Sequence, residues 1–380
     1  MGLLKNCLGQ ICCVMLSLTT SSLTWAEAAT AEQASTLRVA ATDERVSSFL
    51  DGALIDDERT WVQHESLPPK ASGRTSFNLE WVSGQPSGWG AGAFVESAIW
   101  VDGTDGSVAT LGFVNNQRVA QKNASYPFAV EVQEYRRWGV SLSKRWPVNV
   151  FANSSSQVWW RAKGFAVDEY RWTKADGTLT ESVTGALGLQ AQVEQQKLGG
   201  SSPFVTPKKS LGYGFGFDFG MEGGTAESIQ WQVALEDIGP SIKLSHVLSN
   251  STQYNTNNAS YDANGYIQYA PMTSGQYRDT SVSFQIEPRL SFSGRWAASP
   301  GLTWFGGISH QKPFTQAHFG AETTFFGGNQ LKTALHAGSG GLPVSIGLSW
   351  RYRGLALQWR GDALSPSKAR IWSLSSELNF

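Results

Sequence analysis

Along the stretch LGYGFGFDFGM every second residue is large and apolar: Leu211, Tyr213, Phe215, Phe217, Phe219 and Met221. Between them lie Gly212, Gly214, Gly216, Asp218 and Gly220. A period of two places alternate side chains on opposite faces of an extended strand. The same period runs through 187–194, where Leu187, Leu189, Ala191 and Val193 alternate with Gly188, Gln190, Gln192 and Glu194. In 282–293 it sets Val282, Phe284, Ile286, Pro288, Leu290 and Phe292 against Ser283, Gln285, Glu287, Arg289, Ser291 and Ser293. It returns in 344–352, with Val344, Ile346, Leu348, Trp350 and Tyr352 opposite Ser345, Gly347, Ser349 and Arg351, and again around Arg360. These runs are about ten residues long, the length a tilted strand needs to cross a bilayer.

Two kinds of connection separate the runs. Asp102-Gly103, Asp105-Gly106 and Asp176-Gly177 suit tight hairpins, whereas 249–266 and 195–209 are long and polar. Alternation alone does not say which face points inward. A soluble barrel buries its apolar face, and a membrane barrel turns it to lipid. Here the second face is Gly, Ser, Gln, Glu and Arg, as for a wet lumen. Trp81, Trp100, Trp138, Trp231, Trp350, Tyr352 and Trp372 recur near segment ends, as an interfacial aromatic girdle requires. A soluble exported carbohydrate binder with Trp159, Trp160 and Trp172 as stacking platforms is the competing architecture.

Composition sharpens the choice. Charged residues are 16% of the chain and Gly is 40 of 380, against averages of about 25% and about 7%. The net charge of -1 argues against a nucleic-acid partner. The first 31 residues read as a secretory signal peptide: Lys5, an apolar stretch from about Leu8 to Leu23, then Ala26-Glu27-Ala28 or Ala29-Thr30-Ala31 as cleavage site. Cys7, Cys12 and Cys13 are the three cysteines and all fall inside it, so the exported chain is expected to carry no disulfide. No later run is long and apolar enough for a membrane-spanning helix.

The chain ends on LSSELNF. Trp372, Leu374, Leu378 and Phe380 alternate with polar residues, with Ser376 interrupting the apolar face. This ending resembles the C-terminal strand of Gram-negative outer-membrane β-barrels. The resemblance implies an all-β fold, a transmembrane antiparallel up-and-down barrel closed by a last strand ending in Phe380. It also implies outer-membrane lipid as surroundings and the barrel-assembly machinery as a partner in biogenesis, reading Phe380, Leu378, Leu374 and Trp372. Residues 73–380, at ~10 residues per strand, give about 14 strands within a range of roughly 12 to 16.

Residues 32–72 differ in texture. Val46, Phe49, Leu50, Ala53 and Leu54 follow the spacing of one helical face, with Thr42 or Asp43 as a cap. Two readings stand: a periplasmic leader or partial plug that could engage a periplasmic partner, and a loosely ordered leader.

Chemistry is sparse. His64, His246, His310, His318 and His336 are dispersed, and neither a metal spacing nor a nucleophile elbow occurs. No catalytic residue, metal or cofactor is expected. Candidate lumen-facing residues are Gln190, Gln192, Glu194, Asp218, Gln285, Glu287, Arg289, Arg351 and Arg360. The acidic and basic members are expected to pair with one another, Asp218 with a lumen arginine. The function expected is an outer-membrane channel or transporter for a small solute. A non-transporting barrel acting as scaffold or assembly component is the alternative, and an outer-membrane enzyme the third.

Overall fold

The computed structural model describes residues 35–47, 70–83, 88–104, 106–107, 124–148, 155–181, 187–203, 205, 208, 210–224, 229–256, 259–261, 267–269, 273–325, 328–339, 342, 344–362 and 369–379. The expected signal peptide, the residues of the expected helix beyond Ser47 and Phe380 lie outside them.

The chain opens with β1 (Thr36–Ser47), β2 (Lys70–Val82), β3 (Trp89–Gly103), β4 (Ser125–Val148), β5 (Ser155–Glu181) and β6 (Leu187–Leu198). Then come β7 (Gly212–Gly224), β8 (Ile229–Ile238), β9 (Ile242–Asn255) and a short separate pair, β10 (Ala259–Tyr261) and β11 (Ile267–Tyr269). The rest are β12 (Thr273–Phe284), β13 (Arg289–Ser299), β14 (Leu302–Gln311), β15 (Phe314–Thr324) and β16 (Gln330–Gly338). The last three are β17 (Ser345–Tyr352), β18 (Leu355–Asp362) and β19 (Ala369–Asn379).

The sheet closes on itself. β1 pairs β19 from Thr36↔Asn379 to Val46↔Ala369 and pairs β2 along its other edge, so neither edge is free. The barrel therefore begins at residue 36 and not at 73, which corrects the expected leader over 32–72. The helical spacing started from Val46, at the end of a strand whose own period is two: Leu37, Val39 and Ala41 alternate with Arg38, Ala40 and Thr42.

Among the described residues sixteen strands close the ring and β12 lies outside it, two more than the fourteen expected. The excess has a simple origin. β5 pairs β7 through 155–167 and β6 through 171–181, so two successive strands share its flank. β8 and β9 share the next position in the same way, β8 along β7 and β9 along β6, with Tyr213↔Lys243 joining the two levels. β12 follows β9 and β13 follows β8. Three neighbouring wall positions thus break at one height, at 199–211, 239–241 and 285–288.

The breaks divide the wall into two zones. On one side of them the outer face is apolar and exposed: Trp138, Val140 and Leu142 on β4, Tyr213, Phe215, Phe217 and Phe219 on β7, Leu290 and Phe292 on β13, Ile346 and Leu348 on β17. On the other side β5, β6, β9 and β12 continue as an extension. The 27 residues of β5 span about 90 Å along the strand, far more than an apolar band of about 25 Å. Asp176-Gly177, expected as a hairpin turn, sits inside β5 and is laddered to Ala129-Phe128 and Gln192-Ala191. Pairing on both flanks overrides the local turn preference.

The break at 285–288 also flips faces. Phe284 and Ile286 are buried in the interior, while Leu290 and Phe292 are half exposed on the outside. One continuous alternation in the sequence is therefore two strands with opposite apolar directions.

Candidate functional site

The lumen has two unlike halves. Between β2 and β8 it is filled. Phe94, Tyr135, Phe165, Tyr170, Ile242, Leu244, Phe284 and Ile286 form a buried cluster on the inner wall, with Tyr170 stacked on Phe284 at 4.6 Å. Glycine makes that layer possible at Gly139. A Cβ there would lie 2.2 Å from the Gly164 carbonyl oxygen and 2.7 Å from Phe165 Cβ. Phe94 and Phe165 meet edge to face at 6.4 Å across the glycine.

Against the aromatic layer lies an ion network drawn from six strands. Arg137 donates to Glu96 (Nε to Oε1, 3.0 Å) and to Asp237 (Nη2 to Oδ1, 2.7 Å) and is 1% exposed. Arg74 reaches Glu96 at 2.5 Å and Asp237 at 3.4 Å. Lys163 joins Asp237 (2.9 Å) to Asp218 (2.7 Å), and Arg161 joins Asp218 (3.8 Å) to Glu80 (2.7 Å). Arg137 also packs over the Phe165 and Phe94 rings at 5.2 and 5.6 Å. Asp237 enters the lumen because β8 is irregular at that point: its φ is +60° and the β7–β8 register shifts between Phe217 and Phe219. Its backbone N–H donates to Asp218 Oδ1 at 2.9 Å. The sequence reading assigned no inner face within β2 to β5, and nothing local to Glu96, Arg137, Lys163 or Asp237 announced that they meet.

The other half, from β13 round to β1, is open and polar. A cavity of about 330 Å³ is lined by Phe305, His318, Lys332, His336, Arg351 and Gln358 among others. A second, of about 350 Å³, lies where β5, β7 and β8 meet β13, among Gln157, Glu222, Gln230, Gln232, Ser293 and Arg295. Arg295 and Lys332 both reach Glu322, at 3.0 and 2.9 Å.

The candidate lumen residues are spread between these regions. Asp218 is buried in the ion network, where its shortest ion pair is with Lys163. Arg289 lies 3.9 Å from Glu44. Arg360 is buried and bonds Ser345 and Gln316, while Arg351 lines the 330 Å³ cavity. Gln190, Gln192 and Glu194 lie in the extension on β6, where Gln192 donates to Glu194 at 2.9 Å. Glu287 sits in the break and its carbonyl accepts from Gln311 Nε2 at 3.1 Å. Gln285 is exposed, on the face opposite Phe284 and Ile286, and its amide donates to the Gly239 carbonyl at 3.2 Å. The flip at 285–288 explains its departure from the expected lumen face. Trp100, expected in the aromatic girdle, is buried, with Lys312 Nζ 5.0 Å from its ring centre. In the terminal strand Leu378 pairs Leu37, Leu374 pairs Ala41 and Leu357, and Trp372 faces Trp359.

Among the described residues no helix is long and apolar enough to cross a membrane, and no three metal-ligating side chains gather. No protein-family model and no curated protein sequence matches the chain. The chain is a closed antiparallel β-barrel. It is similar in fold to solved Gram-negative outer-membrane barrels. A TodX monoaromatic hydrocarbon channel mutant is 8% identical over 92% of this chain and 91% of its own, with a TM-score of 0.44. The Pseudomonas putida toluene transporter TodX is 10% identical over 93% and 91%, with a TM-score of 0.42. The Ralstonia pickettii toluene transporter TbuX is 10% identical over 92% and 89%, with a TM-score of 0.38.

Proposed function

We propose that this barrel is an outer-membrane channel that passes a small solute through the polar half of its lumen. The observation that carries the reading is the pairing of an apolar, exposed outer face with a lumen half-lined by Ser, Gln, His, Lys and Arg. Exposed Phe215, Val140, Phe292 and Leu348 would be costly against water and suit hydrocarbon. In this reading the aromatic layer and ion network keep one side of the barrel rigid and narrow the passage to the other. The chain is exported by its first 31 residues, assembled through its terminal strand, and needs no cofactor or catalytic group.

Planar-bilayer recording of the detergent-folded protein tests this. Discrete, stable conductance steps are expected. A folded, heat-modifiable barrel that stays silent would overturn the channel and leave the scaffold reading, which the filled half of the lumen and the tall extension favour.

A further inference from the structure

Outside the filled half of the lumen, the wall carries an apolar groove of about 620 Å³. It runs from Phe77 and Leu79 on β2, past Val95 and Val140, to Tyr213 on β7, and is backed by the inner Phe94 and Phe165. Val95, Val140 and Tyr213 are exposed, with the outward parity of their strands, opposite to Glu96 and Arg137. The ladder sets small residues beside these large ones. Ala93, Val140 and Gly164 share one row, and Val95, Trp138 and Ala166 the next. A Cβ on Gly164 would meet no heavy atom within 4 Å, so the space above it is open.

Four residues along β4 from Val140, about 13 Å away, stands Lys144. It lies in the ladder between Trp89 and Trp160, whose indoles meet edge to face at 6.0 Å, and its Nζ is 4.4 Å from the Trp89 ring centre. Among the described residues Lys144 has no carboxylate partner. The outer rows on either side of it are uncharged: Trp81, Ala91, Leu142 and Ala162 on one, Trp146, Val158 and Met221 on the other. This end of the barrel carries the short connections 300–301 and 353–354 and lies opposite the extension, as the periplasmic end does in outer-membrane barrels. An ammonium among indoles at the margin of an apolar band marks the height of lipid headgroups. One leaflet of hydrocarbon is about 15 Å deep, so the groove lies where the chains of a lipid with its headgroup at Lys144 would run.

We propose that the groove and Lys144 form a site for one glycerophospholipid of the periplasmic leaflet, with its phosphate on the Lys144 ammonium and an acyl chain over Gly164. The inference goes beyond the channel reading and rests on the outward apolar face, not on conduction. A neutral lipid would leave the ammonium without a counter-ion at the edge of hydrocarbon, and a free phosphate would leave the groove empty.

Native mass spectrometry of the full barrel, delipidated in detergent and titrated with dioleoylphosphatidylglycerol, tests the site. One saturable lipid adduct is expected, and neither dioleoylglycerol nor glycerol phosphate is expected to reproduce it. Lys144→Gln, which removes the charge, is expected to weaken the adduct about tenfold. Gly164→Leu is expected to weaken it about as much by filling the groove, and the open space there lets the variant fold. Leu348→Ala, on the outer face of β17, is expected to bind as the parent does. No saturable adduct on the folded parent, unchanged affinity in either Lys144→Gln or Gly164→Leu, equal weakening in Leu348→Ala, or equal uptake of dioleoylglycerol would each overturn the site. A dimer that Gly164→Leu abolishes would also overturn it and give the groove to a second copy of the chain. A silent barrel that binds the lipid would sink the channel alone, and a conducting barrel without the adduct would sink the site alone.

Discussion

Arg137 stands at the centre of the filled half-lumen, and its partners come from strands far apart in sequence: Glu96 on β3 and Asp237 on β8. Deleting one partner of a buried ion pair leaves the other charge stranded, at a cost of about 3–5 kcal/mol. Asp237→Asn, which takes a shared carboxylate from Arg137, Lys163 and Arg74 and leaves three buried cations on Glu96 and Asp218, is therefore expected to lower the unfolding free energy by about that amount. Urea unfolding in micelles checks this, and a loss below about 1 kcal/mol would mean that water reaches the network. Gly139 is as sensitive for a steric reason. Gly139→Leu would drive a side chain into the Gly164 carbonyl and the Cα and Cβ of Phe165, and the variant is expected to fail the heat-dependent mobility shift of a folded barrel on gels.

At the level of elements, β1 is the strand on which closure depends, since it hydrogen-bonds both β19 and β2. Ala40 lies in its middle, opposite Ser375 on one side and Asn78 on the other. Ala40→Pro removes a ladder donor and distorts a strand paired along both edges, which sheets tolerate only at their margins. Loss of folded barrel is expected, and a normal mobility shift would show that the ring can close without a regular β1. Strands such as β6, β7, β13, β17 and β19 were legible from period two. The exceptions are instructive. β1 was obscured by the apolar spacing that begins at Val46, and β5 by an internal Asp176-Gly177 that reads as a turn. The face flip at 285–288 left no mark, because a strand that ends and resumes four residues later keeps its parity in the sequence while its wall position changes.

For the whole molecule, the two zones of the wall predict unequal tolerance to charge. Phe215 lies in the exposed apolar band and Tyr277 on the extension, both with exposed rings. Phe215→Arg is expected to destabilise the barrel in lipid by about 2–4 kcal/mol, as for arginine near a bilayer midplane. Tyr277→Arg should fall within about 0.5 kcal/mol of the parent, as for a surface change in water. Equilibrium folding into phosphocholine vesicles measures both, and equal costs would mean that the apolar band does not stop at the breaks.

The sequence by itself determined the architecture, because a period of two is a local property of extended chain and survives without knowledge of partners. It also determined the apolar-out, polar-in sense, through the small and polar residues interleaved with Phe215, Phe217 and their counterparts. The tertiary structure alone decided how many strands close the ring, where three of them break, and which inward residues meet. Those outcomes depend on register between strands separated by up to hundreds of residues, as in Thr36↔Asn379, and on wall curvature that brings β8 across to β2. Asp237 reaches Arg137 only because one backbone irregularity turns it inward, and Arg360 is left without a carboxylate only because of what the fold placed around it. Spacing along the chain carries neither fact.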